Sequence, residues 1–454
     1  MSTAKSGRSV SYAKFSPFNR LGDTSTWGSL FLEQWCGQTT SVPHGASVPP
    51  AGTEVRVPRG TMRVSLMLRA ALIGFGSSGK TTLFQLMTSA RETARAAHGK
   101  GETSVGISKV PDARLDRLTA MYNPRKRVPA TVEFTDLAAQ GAAGGAQALV
   151  DVAAYKNADA LVHVVRAFDD PTVPRPSGSV DPGRDAQAME DELILADLGV
   201  AERRLERLEK DLKKSRTAEL ERERDVITLC KAALEEGKPL RTLDLKGEDL
   251  KRLRGFQFLS AKPLLIVINV DESQLAAGGD AATQIDHAAK AAGLTAFLSH
   301  ASTAAVAVCG KIELEISQLE AADAQAFLAD LGLSASGLDR VIRASYDLLG
   351  YISFFTVGED ECRAWSIPRH TPAQLAAGEI HSDIARGFIR AEVVSYDALI
   401  ARGSMAVCRD HGEVRLEGKE YVVQDGDIIN FRFATCLSPV RRTGTSSRRR
   451  GSAG

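Results

Sequence analysis

The 454-residue sequence predicts an α/β protein: a mostly parallel sheet, a helical insertion, and a small α+β domain toward the carboxy-terminal end. Three observations carry this prediction. Between 67 and about 170, short apolar or β-branched runs alternate with helical stretches, the pattern of βαβ units. From 186 to 254 leucines and isoleucines recur every seven residues. Beyond 349, strand-like runs are separated by short turns and helices.

The elements follow in chain order. Residues 1–66 are rich in Ser, Thr, Gly and Pro and show no sustained period, so they are expected to be a disordered leader, with folding beginning near Met67. ALIGF (71–75), VGISKV (105–110), ATVEFTD (130–136) and ALVHVVRAF (160–168) read as strands. Leu198, Leu205 and Leu212, then Leu220, Ile227 and Leu234 beyond a polar KSRT turn, read as an antiparallel helical hairpin. Two helices packed on the body and a projecting coiled coil both satisfy that pattern. PLLIVINV (263–270) resumes the α/β alternation, followed by TAFLS (295–299), AVAVCG (305–310) and a helix from about 311. ISFFTV, FIRAEVV and DIINFRF are strands of the last domain. The expected organisation is therefore a nucleotide-binding domain at 67–185 and 255–348, a hairpin insertion at 186–254, the α+β domain at 349–433, and a disordered basic tail at 434–454.

Composition narrows the function classes. Residues 1–66 carry seven basic and three acidic residues, and 434–454 five arginines and no acid; the total of +1 therefore leaves −8 for 67–433. A body that acidic is no general nucleic-acid binder, so RNA contact would need a local patch or the tails. Six scattered cysteines without a CxxC pair suggest neither a disulfide framework nor a zinc site, and fit a reducing cytoplasm. Apolar runs are strand-sized, which argues against a membrane span.

The chemistry concentrates at Gly74-Phe-Gly-Ser-Ser-Gly79-Lys80-Thr81, which fits GxxxxGK[ST] between a strand and a helix. Gly76, Ser77, Ser78 and Gly79 would bring backbone N–H groups around a diphosphate, and the helix that starts at Lys80, Thr81 and Thr82 adds its dipole. Lys80 would reach the β- and γ-phosphates, and Thr81 would ligate Mg²⁺. Asp136 ends the strand of TVEFTDLAAQ, where such a sheet needs an acid to hold the magnesium hydration shell. Asn269-Val-Asp-Glu272 follows another strand, where GTPases carry NKxD. The Asp of NKxD accepts from guanine N1–H. Adenine presents an acceptor there, so a longer Glu272 and Asn269 at the base edge favour ATP over GTP.

With these pieces assembled, the chain resembles the YchF family of Obg-like ATPases over approximately 67–433. VPDARLDRL (110–118), RKRVPATVEFTD (125–136), DALVHVVRAFDD (159–170), VDPGRD (180–185) and DELILADL (191–198) look like family landmarks. So do ISFFTVGEDECRAW (352–365), GEIHSDIARGFIRAEVVSYDALI (378–400) and RLEGKEYVVQDGDIINFRF (415–433), which resemble the ubiquitin-like TGS domain. The resemblance implies a P-loop domain interrupted by a helical hairpin, Mg²⁺-dependent hydrolysis of ATP, often in preference to GTP, and association with ribosomes or ribosomal RNA in translation or stress control; the chain is expected to be a monomer. It makes Asn269 and Glu272 the NxxE base motif and aligns Cys309, Gly310 and the following Lys-Ile-Glu with a base-side loop that usually reads SAKIE.

The sequence departs from the family at its switches. TIEPNVG becomes Lys100-Gly-Glu-Thr-Ser-Val-Gly106, placing a lysine where the family has its second magnesium-binding Thr. DIAG becomes Asp136-Leu-Ala-Ala139, followed by Gln140, which is expected to orient the attacking water or to be a solvent-facing loop residue. Lys100 and Ala139 leave open a nucleotide-sensing scaffold with little hydrolysis, and an Obg-type GTPase is the remaining alternative. His163 in an apolar strand is expected to be an interior histidine, while Arg363, Arg386 and Arg390 are candidates for RNA contact or an ordinary solvated face.

Overall fold

The computed structural model describes residues 68–88, 103–137, 155–175, 178–245, 247–275, 281–300, 302–333 and 335–434. Residues 1–66 and the arginine-bearing tail lie outside them.

The first sheet contains β1 (Leu68–Ile73), β2 (Thr103–Lys109), β4 (Thr131–Leu137), β5 (Ala160–Arg166), β6 (Leu264–Asn269) and β7 (Thr303–Val308). Their spatial order is β2-β4-β1-β5-β6-β7, parallel except for β2 against β4. β5 and β6 are buried at every position, which explains their almost unbroken apolar sequences: helices cover both faces of a parallel sheet. The strand order reverses around β1, so the carboxyl ends of β1, β4, β6 and β7 converge on one crevice, the usual ligand site of such sheets.

TAFLS does not form a strand. Its last three residues close a 3₁₀ turn, Phe297–Ser299, because Phe297 anchors in the core while Ser299 N–H and Oγ both return to the Ala296 carbonyl.

Asp181 caps the first hairpin helix, Pro182–Lys214, by accepting from Arg184 N–H; Pro182, lacking an N–H, suits the first turn. Thr217 caps the return helix, Ala218–Glu235. The hairpin contributes to two apolar cores. Met189 and Leu193 pack into the core of the first sheet, whereas Ala201, Val226, Ile227 and Cys230 pack with Leu240, Leu253 and Phe258 in a separate core. Arg204 and Glu223 join the helices through a bidentate pair at 2.7 and 2.9 Å. At the root, Glu190 pairs with Arg241, and Asp197 accepts from Leu259 N (2.8 Å), Ser260 N (2.7 Å) and Ser260 Oγ (2.6 Å).

The second sheet runs β11-β10-β12-β8-β9-β3, with β8 (Tyr351–Thr356), β9 (Glu361–Pro368), β10 (Phe388–Ser395), β11 (Arg415–Glu417) and β12 (Asp427–Phe433). Its edge strand β3 (Lys126–Val128) comes from the sequence between β2 and β4 and pairs parallel to β9, Lys126 opposite Glu361 and Val128 opposite Arg363. One apolar cluster crosses the junction, containing Leu115, Leu118, Val341 and Tyr346 together with Phe355, Cys362, Val394 and Ile428. Arg114 reinforces it, donating to Asp112 from the same helix start and to Asp425 before β12 at 2.8 and 3.2 Å.

Candidate nucleotide-binding site

The glycine-rich turn leaves β1 and enters the helix Lys80–Thr88, whose Leu83, Phe84 and Met87 are buried against the sheet. The turn is compact enough to reject side chains at two points. Gly74 has φ +142, and a β-carbon on it would lie 2.5 Å from the Val164 carbonyl of β5. Gly79 has φ +95, and a β-carbon there would overlap Asn269 Nδ2. Both angles lie where side-chain-bearing residues are rarely found. Ser77 nevertheless adopts φ +62, while Gly76 borders open space.

Lys80 is only 7% exposed, and its Nζ donates to the Phe75 carbonyl of the same loop at 3.2 Å. Burial pushes its pKa down, and nearby Asp136 opposes that shift. Asp136 is 3% exposed at the end of β4; burial raises its pKa against the lowering effects of a hydrogen bond from the Thr81 hydroxyl and the Lys80 charge. Its Oδ1 has no hydrogen-bond partner among the described residues. An ammonium, a hydroxyl and a carboxylate with an unused oxygen therefore face one another. Hard oxygen donors of this kind suit Mg²⁺.

Asn269 sits at the end of β6 with its side-chain amide committed at both ends. Nδ2 donates to the Ser78 carbonyl and Oδ1 accepts from Gly310 N–H, each at 3.0 Å. It therefore joins the phosphate loop to the loop after β7, and one of the two Nδ2 N–H donors is used in doing so. Glu272 and Lys311 pair at 2.6 Å between the segments that follow β6 and β7, with side chains 48% and 71% exposed. Cys309 is buried at the start of the helix Gly310–Ile316, where it makes no side-chain cap, and burial raises its thiol pKa. Ser78 is buried; Thr81 and Thr82 are exposed on the first helical turn. The structure thus brings together Gly76 through Thr82, Asp136 and Asn269, and sets Glu272, Cys309 and Gly310 beside them. Lys100, Ala139 and Gln140 lie outside the described residues.

His163 is interior: burial, with Lys80 and Arg241 nearby, depresses its pKa to about 3, and its Nε2 lacks a partner among the described residues. Among the described residues no group of three His, Cys, Asp or Glu could hold a metal. Sequence reasoning missed two residues that support the site. Arg166 ends β5 and donates to the carbonyls of Phe168, Asp170, Val173 and Pro174, stapling the following loop. Buried Glu313 accepts from Gly337 N–H at 2.6 Å, fastening the base-side helix to the helix Gly337–Leu348. An arginine closing an apolar strand was the available signal for the first; the second had no local one.

Comparison with known proteins places this geometry. The chain is 43% identical over 375 residues to the ribosome-binding ATPase YchF of Bacillus subtilis, covering 81% of this chain and 100% of that protein. The chain belongs to the YchF family. A family model named YchF-GTPase_C, described as a protein of unknown function (DUF933), matches residues 351–434. Obg-like ATPase 1 of rice is 34% identical over 378 residues, covering 82% of this chain and 93% of its own. The structure of the Schizosaccharomyces pombe YchF GTPase superposes with a TM-score of 0.68 at 27% identity, covering 80% of this chain and 97% of that one. The family fold, a P-loop α/β domain with a TGS-like carboxy-terminal domain, is therefore the fold of this chain.

Proposed function

We propose that the protein is a slow, Mg²⁺-dependent ATPase that associates with the ribosome. The observation that carries the reading is the meeting of Lys80, Thr81 and Asp136, whose Oδ1 is unpartnered among the described residues, at the mouth of a glycine-rich turn. Similarity to proteins named ribosome-binding ATPases supplies the nucleotide and the partner, and a ribosomal partner implies a cytoplasmic location.

In this reading the P-loop N–H groups and Lys80 hold the β- and γ-phosphates, and charge that develops during attack of water on the γ-phosphorus meets preset positive groups. Thr81 and Asp136 would hold Mg²⁺, which supplies neutralisation of phosphate charge. Gln140 would orient the water. Asn269 keeps the phosphate loop and the base-side loop in register, while Glu272 faces the base and disfavours GTP. Binding and single-turnover cleavage of ATP and GTP by the full chain test the assignment: tighter GTP binding overturns the base reading. ATP binding without cleavage selects the sensing scaffold that Lys100 and Ala139 suggest. Co-sedimentation of wild type and Lys80→Ala with ribosomes, with and without ATP, tests the partner: a wild type that stays off the ribosome in both conditions refutes it, and equal pelleting of the two proteins separates association from nucleotide.

A further inference from the structure

The second sheet parts along one seam. β8 and β12 are joined in register only at Ile428 and Phe355; β8 ends at Thr356, whereas β12 continues to Phe433 with β10 on its other side. Among the described residues no strand pairs with β12 on the β8 side beyond Ile428. A cavity of about 400 Å³ follows this open seam, walled by Val357, Ile380, Ile384, Met405, Phe431 and Phe433.

The polar wall of the cavity, Glu392, Arg409 and Asn430, has two further arginines beside it. Glu392, with its side chain 5% exposed, pairs with Arg432 and lies 3.9 Å from Arg409; Asn430 donates to it at 3.0 Å. Arg409 and Arg432 are 57% and 58% exposed, and exposed Arg390 stands opposite Arg432 in the strand pairing. Two guanidiniums thus flank one carboxylate, and a third arginine lies on the neighbouring strand. An unpaired strand edge accepts an extended chain through main-chain hydrogen bonds, and alternate side chains then enter flanking pockets. The excess positive charge selects acidic residues on that chain. The protein's own tail is the wrong sign: residues 435–454 contain five arginines and no acid.

We propose that this seam docks an extended acidic segment of another protein, added as a strand beside residues 430–433, with apolar side chains in the cavity and carboxylates on Arg409 and Arg432. The full chain is titrated with a fluorescein-labelled peptide of alternating valine and glutamate, and with its valine–lysine counterpart. The expected result is binding of the first peptide alone, weakened by salt, with slowed hydrogen exchange at the amides of 430–433. Arg409→Glu should weaken it about tenfold or more. Met405→Trp, which fills the cavity, should do the same while nucleotide affinity is retained. Failure of the valine–glutamate peptide to bind, equal binding of both peptides, or binding that leaves the 430–433 amides unprotected overturns the proposal.

Discussion

The two ends of the candidate nucleotide site are built on opposite principles. At the phosphate end the shape is fixed by exclusion: Gly74 and Gly79 have no room for a side chain, and Lys80 and Asp136 are buried. At the base end the groups are an exposed ion pair, Glu272 and Lys311, carried on the first turns of short helices. Backbone shape and buried charge make a grip that stores cost in the fold. Exposed charge costs the fold almost nothing and, in the proposed reading, is free to tune which base is held.

The sharpest way to break this contrast is at Lys80. Lys80→Met should lower single-turnover ATP cleavage by about 10²–10³-fold, since one preset positive group is lost at the transferring phosphoryl. The same change should leave the nucleotide-free protein as stable or raise its stability by about 1 kcal/mol, because a desolvated ammonium is removed. Thermal unfolding checks the second half, and a large loss of stability would refute the idea of a stored cost. Gly79→Ala should do the reverse, destabilising the fold by about 2–4 kcal/mol through overlap with Asn269 and an unfavourable φ, and weakening both ATP and GTP equally. Chemical denaturation and nucleotide titration read both effects.

The hairpin root is an intermediate case, buried but richly hydrogen-bonded. Asp197 has its pKa pushed up to about 6, mainly by burial, against three hydrogen bonds that pull it down. A carboxyl raised in the folded state adds stability while protonated and loses it as pH climbs through that value. Wild type should therefore gain about 1 kcal/mol relative to Asp197→Asn on going from pH 7 to pH 5. A flat difference would show that the hydrogen bonds, rather than burial, dominate. The smallest effect belongs to the base end: Lys311→Ala should change stability by less than about 0.5 kcal/mol, as surface pairs do. Its signature should instead be a shifted ratio of ATP to GTP affinity, measured by competition.

What the sequence disclosed follows the same division. The P-loop and Asp136 were legible because the turn, the strand end and the helix start are local in chain and in space. The central strands were legible because burial on both faces leaves a continuous apolar run. Asn269 was readable as a site residue but not as a bridge, since Ser78 is 191 residues away. Glu272 was readable, but its ion pair with Lys311 required knowing that the loops after β6 and β7 face each other. β3 was opaque for another reason: three residues, Lys-Arg-Val, carry no strand period, and only pairing with β9 makes them a strand.

That loaned strand bears on how the protein can be cut. A fragment beginning at 349 would lose β3 and the Arg114 partner of Asp425, leaving β9 as a bare edge with Phe355 and Cys362 uncovered. Such a piece would be prone to self-association through that edge. Proteases should accordingly sever the connecting segments without releasing a well-behaved carboxy-terminal module, and the two sheets should melt together.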